Sequence, residues 1–299
     1  MPTNTAKYRG RFAPSPTGPL HLGSLIAALA SYLDARHAGG EWLVRMEDLD
    51  PPREEPGAAT AILESLERHG MAWDDAVMWQ GERGDAYAQA LAQLTRENKL
   101  FECLCTRAEL GPDGACAGRC ASKPRDNNTP RALRVRVPEA TVVEFNDRLQ
   151  GTQTLNLGAM LPDFTLRRKD GLFAYQLAVV VDDAAQGITH IVRGSDLLDS
   201  TFRQVCLQRE LHLPQPEYCH IPVITTQAGQ KFSKQNQAPP LDNTRAGCNL
   251  RLALRFLGQT SPPARLPLKD ILRFATEHWS LAQIPNGVER PAAAIGLKD

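Results

Sequence analysis

Between residues 14 and 24 the chain reads Pro-Ser-Pro-Thr-Gly-Pro-Leu-His-Leu-Gly-Ser. Three prolines and Gly18 fix a loop, and Leu22, Leu25, Ile26, Leu29 and Leu33 then recur at the spacing of one helix face. His21, Gly23 and Ser24 therefore fall at a helix start, where free backbone N–H groups suit phosphate. Gly23 has no side chain to keep a flat ring away from the backbone. His21 can donate to oxygens on which charge develops. Read alone, the segment is also a proline-stiffened turn before a capped helix. A second segment far downstream, Lys231-Phe232-Ser233-Lys234-Gln235, has Gly229 before it. Two lysines so spaced can hold a triphosphate and follow charge onto leaving pyrophosphate. Alone, such a run is usually a solvated surface loop.

Another set of residues suits an anion that carries an ammonium group. Arg11 precedes the proline-rich loop, and Arg45, Glu47, Asp48 and Asp50 crowd the end of the strand pattern Trp42 to Met46. Arg193, followed by Gly194, ends the apolar strand pattern Ile188 to Val192. Arginine grips a carboxylate bidentately, selecting geometry as well as charge. A lone strand-end arginine is as readily a surface ion pair. Asp182-Asp183 ends the run Val179-Val180-Val181 and reads as structural or turn-forming.

Four of the seven cysteines, Cys103, Cys105, Cys116 and Cys120, form a third set. Gly111, Pro112, Gly114 and Gly118 between them permit tight loops, and zinc is the natural occupant of four thiolates. The alternative of four free buried thiols fits poorly with the polar flanks Arg107, Asp113 and Arg119. Cys206, Cys219 and Cys248 read as packing residues. Lys123, Arg125, Arg131, Arg134 and Arg136 form a basic stretch that either neutralises RNA phosphates or is a solvated strand face.

These groups need a frame. Tyr8 to Ala13 reads as a strand, and with the helix and the Trp42 strand it makes a βαβ unit whose loop lies at a strand's carboxyl end, where parallel sheets bind ligands. Helical patterns follow at Ala58 to His69, which ends at Gly70, and at Asp85 to Asn98. Residues 101–165 have the short alternating texture of a β-rich insertion. Phe164 to Arg168 and Leu172 to Tyr175 flank Asp170-Gly171 as a hairpin. Ser195 to Leu211 reads as helix, Tyr218 to Thr225 as strand, and Leu250 to Leu257 and Leu268 to Trp279 as amphipathic helices. The expected organisation is an α/β parallel-sheet core in two halves, 1–100 and 166–240, with an insertion at 101–165 and a helical tail at 241–299.

Composition constrains the rest. The 299 residues are 42% hydrophobic and 23% charged, an ordinary globular balance, and 34 basic residues equal 34 acidic ones, so no global field advertises nucleic acid. No apolar run approaches the ~20 residues of a membrane span, nor is there a signal-peptide core. The expectation is a cytoplasmic monomer in a reducing compartment, where cysteines serve metals before disulfides.

His21-Leu22-Gly23-Ser24 resembles the HIGH motif, and Lys231 to Gln235 the KMSKS motif, of class I aminoacyl-tRNA synthetases. Arg11-Phe12-Ala13-Pro14-Ser15-Pro16-Thr17-Gly18 is similar to their glutamyl/glutaminyl branch, and the resemblance runs from residue 9 to residue 240. It implies a Rossmann-like core that uses ATP with Mg2+, with His21, Gly23, Lys231 and Lys234 catalytic and His21, Gly23, Ser24 and Lys234 at the nucleotide. It also implies that Arg11, Ser15 and Arg193 hold the carboxylates of glutamate, that Glu47 holds its amino group, and that Tyr175 closes the pocket. The Cys103-x-Cys105 opening matches this branch's zinc site.

The sequence departs from full-length glutamyl-tRNA synthetases at Val179, at Ser195-Asp196 after Arg193-Gly194, and at Gln235-Asn236. The residues after Gln235 suffice for two or three helices and no separate anticodon-binding domain. This combination resembles the glutamyl-queuosine tRNA(Asp) synthetase family. That resemblance implies glutamate activation without tRNA, then esterification of the queuosine cyclopentenediol at the wobble position, with the tRNA(Asp) anticodon loop as partner. The competing readings are a truncated glutamyl-tRNA synthetase charging a tRNA 3′ end, a non-catalytic zinc-stabilised RNA-binding paralogue, and a small-molecule nucleotidyltransferase.

Overall fold

The computed structural model describes residues 7–124, 126, 128–226, 229, 230 and 239–297. Its elements, in chain order, are β1 (Arg9–Phe12), α1 (Leu22–His37), β2 (Glu41–Met46), α2 (Ala58–Arg68), β3 (Met78–Trp79), α3 (Gly84–Arg96), β4 (Leu100–Cys103), β5 (Ala132–Arg136), β6 (Val142–Asp147) and β7 (Gly151–Asn156). They continue with α4 (Leu157–Met160), β8 (Asp163–Arg167), α5 (Tyr175–Ala185), β9 (His190–Gly194), α6 (Leu198–Glu210), β10 (Glu217–Ile221), β11 (Val223–Thr225), α7 (Ala246–Phe256), α8 (Leu268–Glu277) and β12 (Glu289–Pro291). Short 3-10 turns lie between them.

Parallel pairing dominates the centre. β2 pairs with β1 on one side and β3 on the other, and β9 pairs with β10 in a register that sets Arg193 opposite His220. β9 runs beside β1, joined at its start by the Thr189 N–H donating to the Arg9 carbonyl at 2.9 Å. The chain therefore winds outward in two directions from β1 and β9, and the carboxyl ends of both strands meet at the switch point, the usual ligand edge of such a sheet. α1, α7 and α8 share one apolar cluster, with Leu25, Leu29, Leu33, Leu250 and Ile271 buried. α3, α5 and α6 share another, with Tyr87, Leu91, Leu177, Val180 and Val205. Helices thus cover both faces of the sheet, so its central strands are buried on both sides.

Three expectations about local structure need correction. The Val179–Val181 run lies inside α5, and Asp182 and Asp183 continue that helix as buried residues with no turn there. The apolar run has no period because neighbours surround the helix. The hairpin after β8 keeps its turn, with Arg168 N–H donating to the Leu172 carbonyl at 2.8 Å and Gly171 at φ 89°. Its second arm shrinks to one bridge, Arg167 to Phe173, before α5 begins at Tyr175. The expected strand from Tyr218 to Thr225 breaks at Pro222, which has no N–H to continue a ladder. Beyond it β11 pairs in parallel with β12 from the chain's tail.

Inside the insertion, β4, β5 and β8 form an antiparallel sheet. Most of the basic stretch finds local partners. Arg134 is buried, only 2% exposed, and pairs with Asp163, so it does not belong to a surface face. Lys123 pairs with Glu109 at 2.6 Å and Arg131 with Glu102, while Arg136 lies over the Phe101 ring, 4.6 Å from its centroid. Arg125 lies outside the described residues. Cys206 and Cys219 are buried as packing residues, but Cys248 is exposed on α7. Among the described residues no helix is long and apolar enough to cross a membrane.

Candidate active site

A cavity of about 700 Å³ opens at the switch point, lined among others by Arg11, Ser15, His21, Gly23, Ser24, Glu47, Tyr175 and Arg193. One edge is built from the proline-rich loop and the start of α1. His21 is the N-cap of that helix, and its Nδ1 accepts the Ser24 N–H at 3.2 Å. That acceptor role leaves Nε2 as the protonated nitrogen, a donor. Gly23 packs against the His21 ring and Ile224, since a Cβ there would stand 3.1 Å from the ring and 3.2 Å from the Ile224 methyl. Its missing side chain therefore serves the helix cap as well as any ring laid over the backbone. His21 also bridges to Pro240, and the Leu241 N–H donates to the Leu20 carbonyl at 2.9 Å. The lysine motif, Lys231 to Gln235, lies outside the described residues.

The opposite edge is a cluster of guanidinium and carboxylate groups. Arg45 is fully buried on β2, and its Nη1 donates to Asp183 Oδ1 and to Gln186 Oε1, each at 2.8 Å. Arg11 on β1 donates to the same Asp183 through Nε at 3.0 Å and Nη2 at 3.4 Å. Burial alone would raise the Asp183 pKa, but the two arginines outweigh it and hold the carboxyl below its ordinary range. Glu47 sits 3.6 Å from Arg45 Nη2, and its buried Oε1 has no hydrogen-bond partner. Burial lifts its carboxyl to about 7 against the pull of Arg45 and Arg11. Asp182 accepts from Gln80 at 2.8 Å, the Tyr87 hydroxyl at 2.6 Å and Arg83 at 3.0 Å, locking α5 to α3 beneath Tyr175.

Arg193 ends β9 and is held differently. Its Nε donates to His220 Nε2 at 3.1 Å, and its Nη2 donates to Thr201 Oγ1 and Gln204 Oε1, each at 2.7 Å. No carboxylate among the described residues is within ion-pair distance of it, and Nη1 is buried without a partner. Within this cluster Arg11, Arg45 and Arg193 share two carboxylates, Asp183 and Glu47, which leaves Arg193 without one at ion-pair distance among the described residues. A ligand with one more carboxylate than ammonium would supply it. Gln186, Thr201, Gln204 and His220 carry no signal in the sequence, because their roles depend on partners far away along the chain, and Asp183 is legible there only as structural or turn-forming. Asp50 lines the same cavity but is held by arginines, and Asp48 is not among the lining residues. Asp48 accepts the Gly81 N–H at 2.8 Å, and Asp50 pairs with Arg53 at 2.6 Å and Arg168 at 3.1 Å.

The four cysteines converge at the insertion. Their sulfurs all lie within 4.8 Å of one another, with Cys105–Cys116 at 3.6 Å and Cys116–Cys120 at 3.4 Å. Tetrahedral zinc with ~2.3 Å bonds would set sulfurs about 3.8 Å apart, so the donor set and its spacing fit that ion. Asp163 braces the loop, accepting the N–H groups of Cys116 at 2.9 Å and Ala117 at 2.7 Å while it pairs with Arg134.

Residues 7–113 and 115–246 match the family described as tRNA synthetases class I (E and Q), catalytic domain. A relative from Pseudomonas aeruginosa (strain ATCC 15692) named Glutamyl-Q tRNA(Asp) synthetase is 52% identical over 294 residues, covering 96% of this chain and 98% of the relative. One of the same name from Thiobacillus denitrificans is 50% identical over 301 residues, covering 97% and 99%. Among solved structures, the glutamate-tRNA synthetase of Elizabethkingia anophelis superposes with a TM-score of 0.80 at 27% identity, over 97% of this chain and 69% of that one. The chain therefore belongs to the class I tRNA synthetases of the glutamate and glutamine group, ligases that use ATP, and within that group to the glutamyl-Q tRNA(Asp) synthetase family.

Proposed function

We propose that this chain activates L-glutamate with ATP, without needing tRNA, and transfers it to the queuosine wobble nucleoside in the anticodon loop of tRNA(Asp). The observation that carries the reading is Arg193, a buried guanidinium at the cavity wall with no carboxylate within ion-pair distance among the described residues. In this reading Arg193 takes the side-chain carboxylate of glutamate through Nη1. Arg11, tied to Asp183 through Nε and Nη2, offers only its remaining edge to a carboxylate, beside Ser15. Glu47 takes the ammonium, whose charge would draw its raised carboxyl back toward ionisation. Tyr175 closes the wall.

His21 donates from Nε2 toward the phosphates, while Gly23, Ser24 and the start of α1 receive the nucleotide and its Mg2+. Lys231 and Lys234 follow the charge onto pyrophosphate. The α-carboxylate attacks the α-phosphorus of ATP and pyrophosphate leaves. A queuosine hydroxyl then attacks the activated carbonyl and AMP leaves. The names of the relatives support the acceptor.

Two measurements test this function. Glutamate-dependent exchange of labelled pyrophosphate into ATP is expected without any tRNA, and an absolute tRNA requirement would count against it. Labelled glutamate is expected on the anticodon-loop fragment of queuosine-containing tRNA(Asp) after nuclease digestion. The likeness to a glutamate-tRNA synthetase favours one other outcome, label on the terminal adenosine of tRNA(Glu), which would replace this reading.

We further propose that Cys103, Cys105, Cys116 and Cys120 hold one structural zinc. Four thiolates close the coordination shell and leave no open position for substrate, so the ion supplies folding energy to the insertion. Metal analysis of protein prepared without chelators is expected to find about one zinc per chain, and Cys103→Ser to release it. Pyrophosphate exchange should survive that change better than transfer to tRNA. Zinc-free wild-type protein, or exchange lost in parallel with transfer, would refute the assignment.

A further inference from the structure

Behind Arg193 lies a buried pair that the activation chemistry above does not use. Asp147, at the end of β6, accepts backbone N–H groups from Leu149 at 3.0 Å, Gln150 at 2.8 Å and His220 at 3.0 Å. Its Oδ2 also faces His220 Nδ1 at 2.6 Å. A carboxylate so supplied with donors stays an anion. The ring can meet it only with an N–H, so Nδ1 carries the proton and Nε2 presents a lone pair. Burial holds the imidazole below its ordinary pKa, outweighing Asp147, which keeps it neutral. The Thr201 hydroxyl, 3.0 Å from Nε2, already donates to the Leu197 carbonyl at 3.0 Å. The Nε2 lone pair therefore accepts from Arg193 Nε.

We propose that Asp147 and His220 are positioning residues for amino-acid recognition. By fixing His220 Nε2 as an acceptor, they turn the Arg193 guanidinium so that its Nη1, which has no partner among the described residues, is left for the substrate. The inference rests on the glutamate reading of that cavity. A carboxylate in place of His220 would pair with Arg193 directly and compete with the substrate. A donor there would push the guanidinium away. The imidazole does neither. With Thr201 and Gln204 it completes a cradle of three neutral acceptors, and the negative charge of Asp147 is held one ring away. The guanidinium is oriented but not neutralised, and the missing counter-charge is the substrate's.

The test compares His220→Gln with His220→Asn in the full chain by pyrophosphate exchange, varying glutamate and ATP separately. The glutamine amide oxygen reaches the Nε2 position and keeps the acceptor toward Arg193. The shorter asparagine reaches only the Nδ1 position and keeps the donor toward Asp147. Asparagine is expected to raise the glutamate KM about 10- to 100-fold, the cost of a lost bond to a charged group, with the ATP KM unchanged. Glutamine is expected to restore most of that loss. Gln204→Met, which removes another acceptor of the same guanidinium at nearly constant volume, should also raise the glutamate KM alone. Equal behaviour of the two His220 variants, an ATP KM that moves with the glutamate KM, or an unchanged glutamate KM in Gln204→Met would each overturn the proposal. Absence of glutamate-dependent exchange in the wild-type protein would overturn the glutamate reading, whereas normal wild-type exchange with indistinguishable variants would overturn the positioning role alone.

Discussion

Replacing Arg193 with alanine is expected to lower kcat/KM for glutamate in pyrophosphate exchange by about 30- to several-thousand-fold, the ~2–5 kcal/mol typical of losing one partner of a buried, hydrogen-bonded charge pair. ATP binding, measured by equilibrium titration, should stay near the wild-type value, because Arg193 ends β9 while His21 and Gly23 stand at the start of α1. Stability should fall modestly, because the change empties a buried volume and strands acceptors on Thr201, Gln204 and His220, partly offset by release of a buried charge. The buried guanidinium has an unsatisfied Nη1 and, among the described residues, no carboxylate within ion-pair distance, an arrangement that costs folding energy and suits a ligand carboxylate. A variant with near-normal glutamate efficiency would remove Arg193 from the pocket chemistry. A variant that lost ATP and glutamate together would point to collapse of the wall.

Asp183→Ala should act the other way, on the fold before the chemistry. Asp183 is the shared acceptor for Arg11 and Arg45, which are 4% and 0% exposed, so its removal strands two buried cations at once. Breaking a buried pair in this manner costs about 3–5 kcal/mol, and denaturant unfolding is expected to show a loss of that size. The dependence on pH follows from the lowered pKa. The contribution of the wild-type carboxylate is fully present above the ordinary aspartate value of 3.8 and is lost as pH falls through the lower folded value. The stability difference between Asp183→Ala and wild type should accordingly hold from neutrality down to about pH 4 and shrink only below it. An unchanged unfolding midpoint in the variant would mean that Arg11 and Arg45 are satisfied by other groups.

How far the sequence alone reaches is visible residue by residue. The β1–loop–α1 opening was legible because three prolines and a clear helical period fall within a few residues of one another, and the structure places His21 as the helix N-cap. The cysteine quartet was legible because its spacing is itself the signal, and the sulfurs do converge. Arg193 could be read as a strand-end cation, but its neutral cradle could not, since Thr201, Gln204 and His220 are ordinary residues on α6 and β10. For Asp182 and Asp183 the structural reading holds and the turn does not, because a triple-valine run has no period, and the partners that explain them, Gln80, Tyr87, Arg11 and Arg45, come from distant elements. Arg134 was misread for a related reason. Alternation along β5 shows that two faces differ, not that a loop covers the polar one, and Asp163 with the Cys116 turn does so here.

The pairing of β11 with β12 gives the site a timetable. Val223 donates its N–H to the Val288 carbonyl at 2.9 Å, and the Ser195 hydroxyl donates to the same oxygen, so the strand that carries Val223 and Ile224 into the cavity wall is finished by residues near the end of this sequence. During synthesis at about 5–20 residues per second, β11 leaves the ribosome about 65 residues, or roughly 3–13 seconds, before its partner exists. Over that interval the nascent chain carries β11 as a strand without its partner beside an unfinished cavity, exposed backbone of the sort that pairs with whatever strand it meets. Agents that slow translation late in the message should therefore lower the soluble yield of this chain while leaving the finished protein as stable as before.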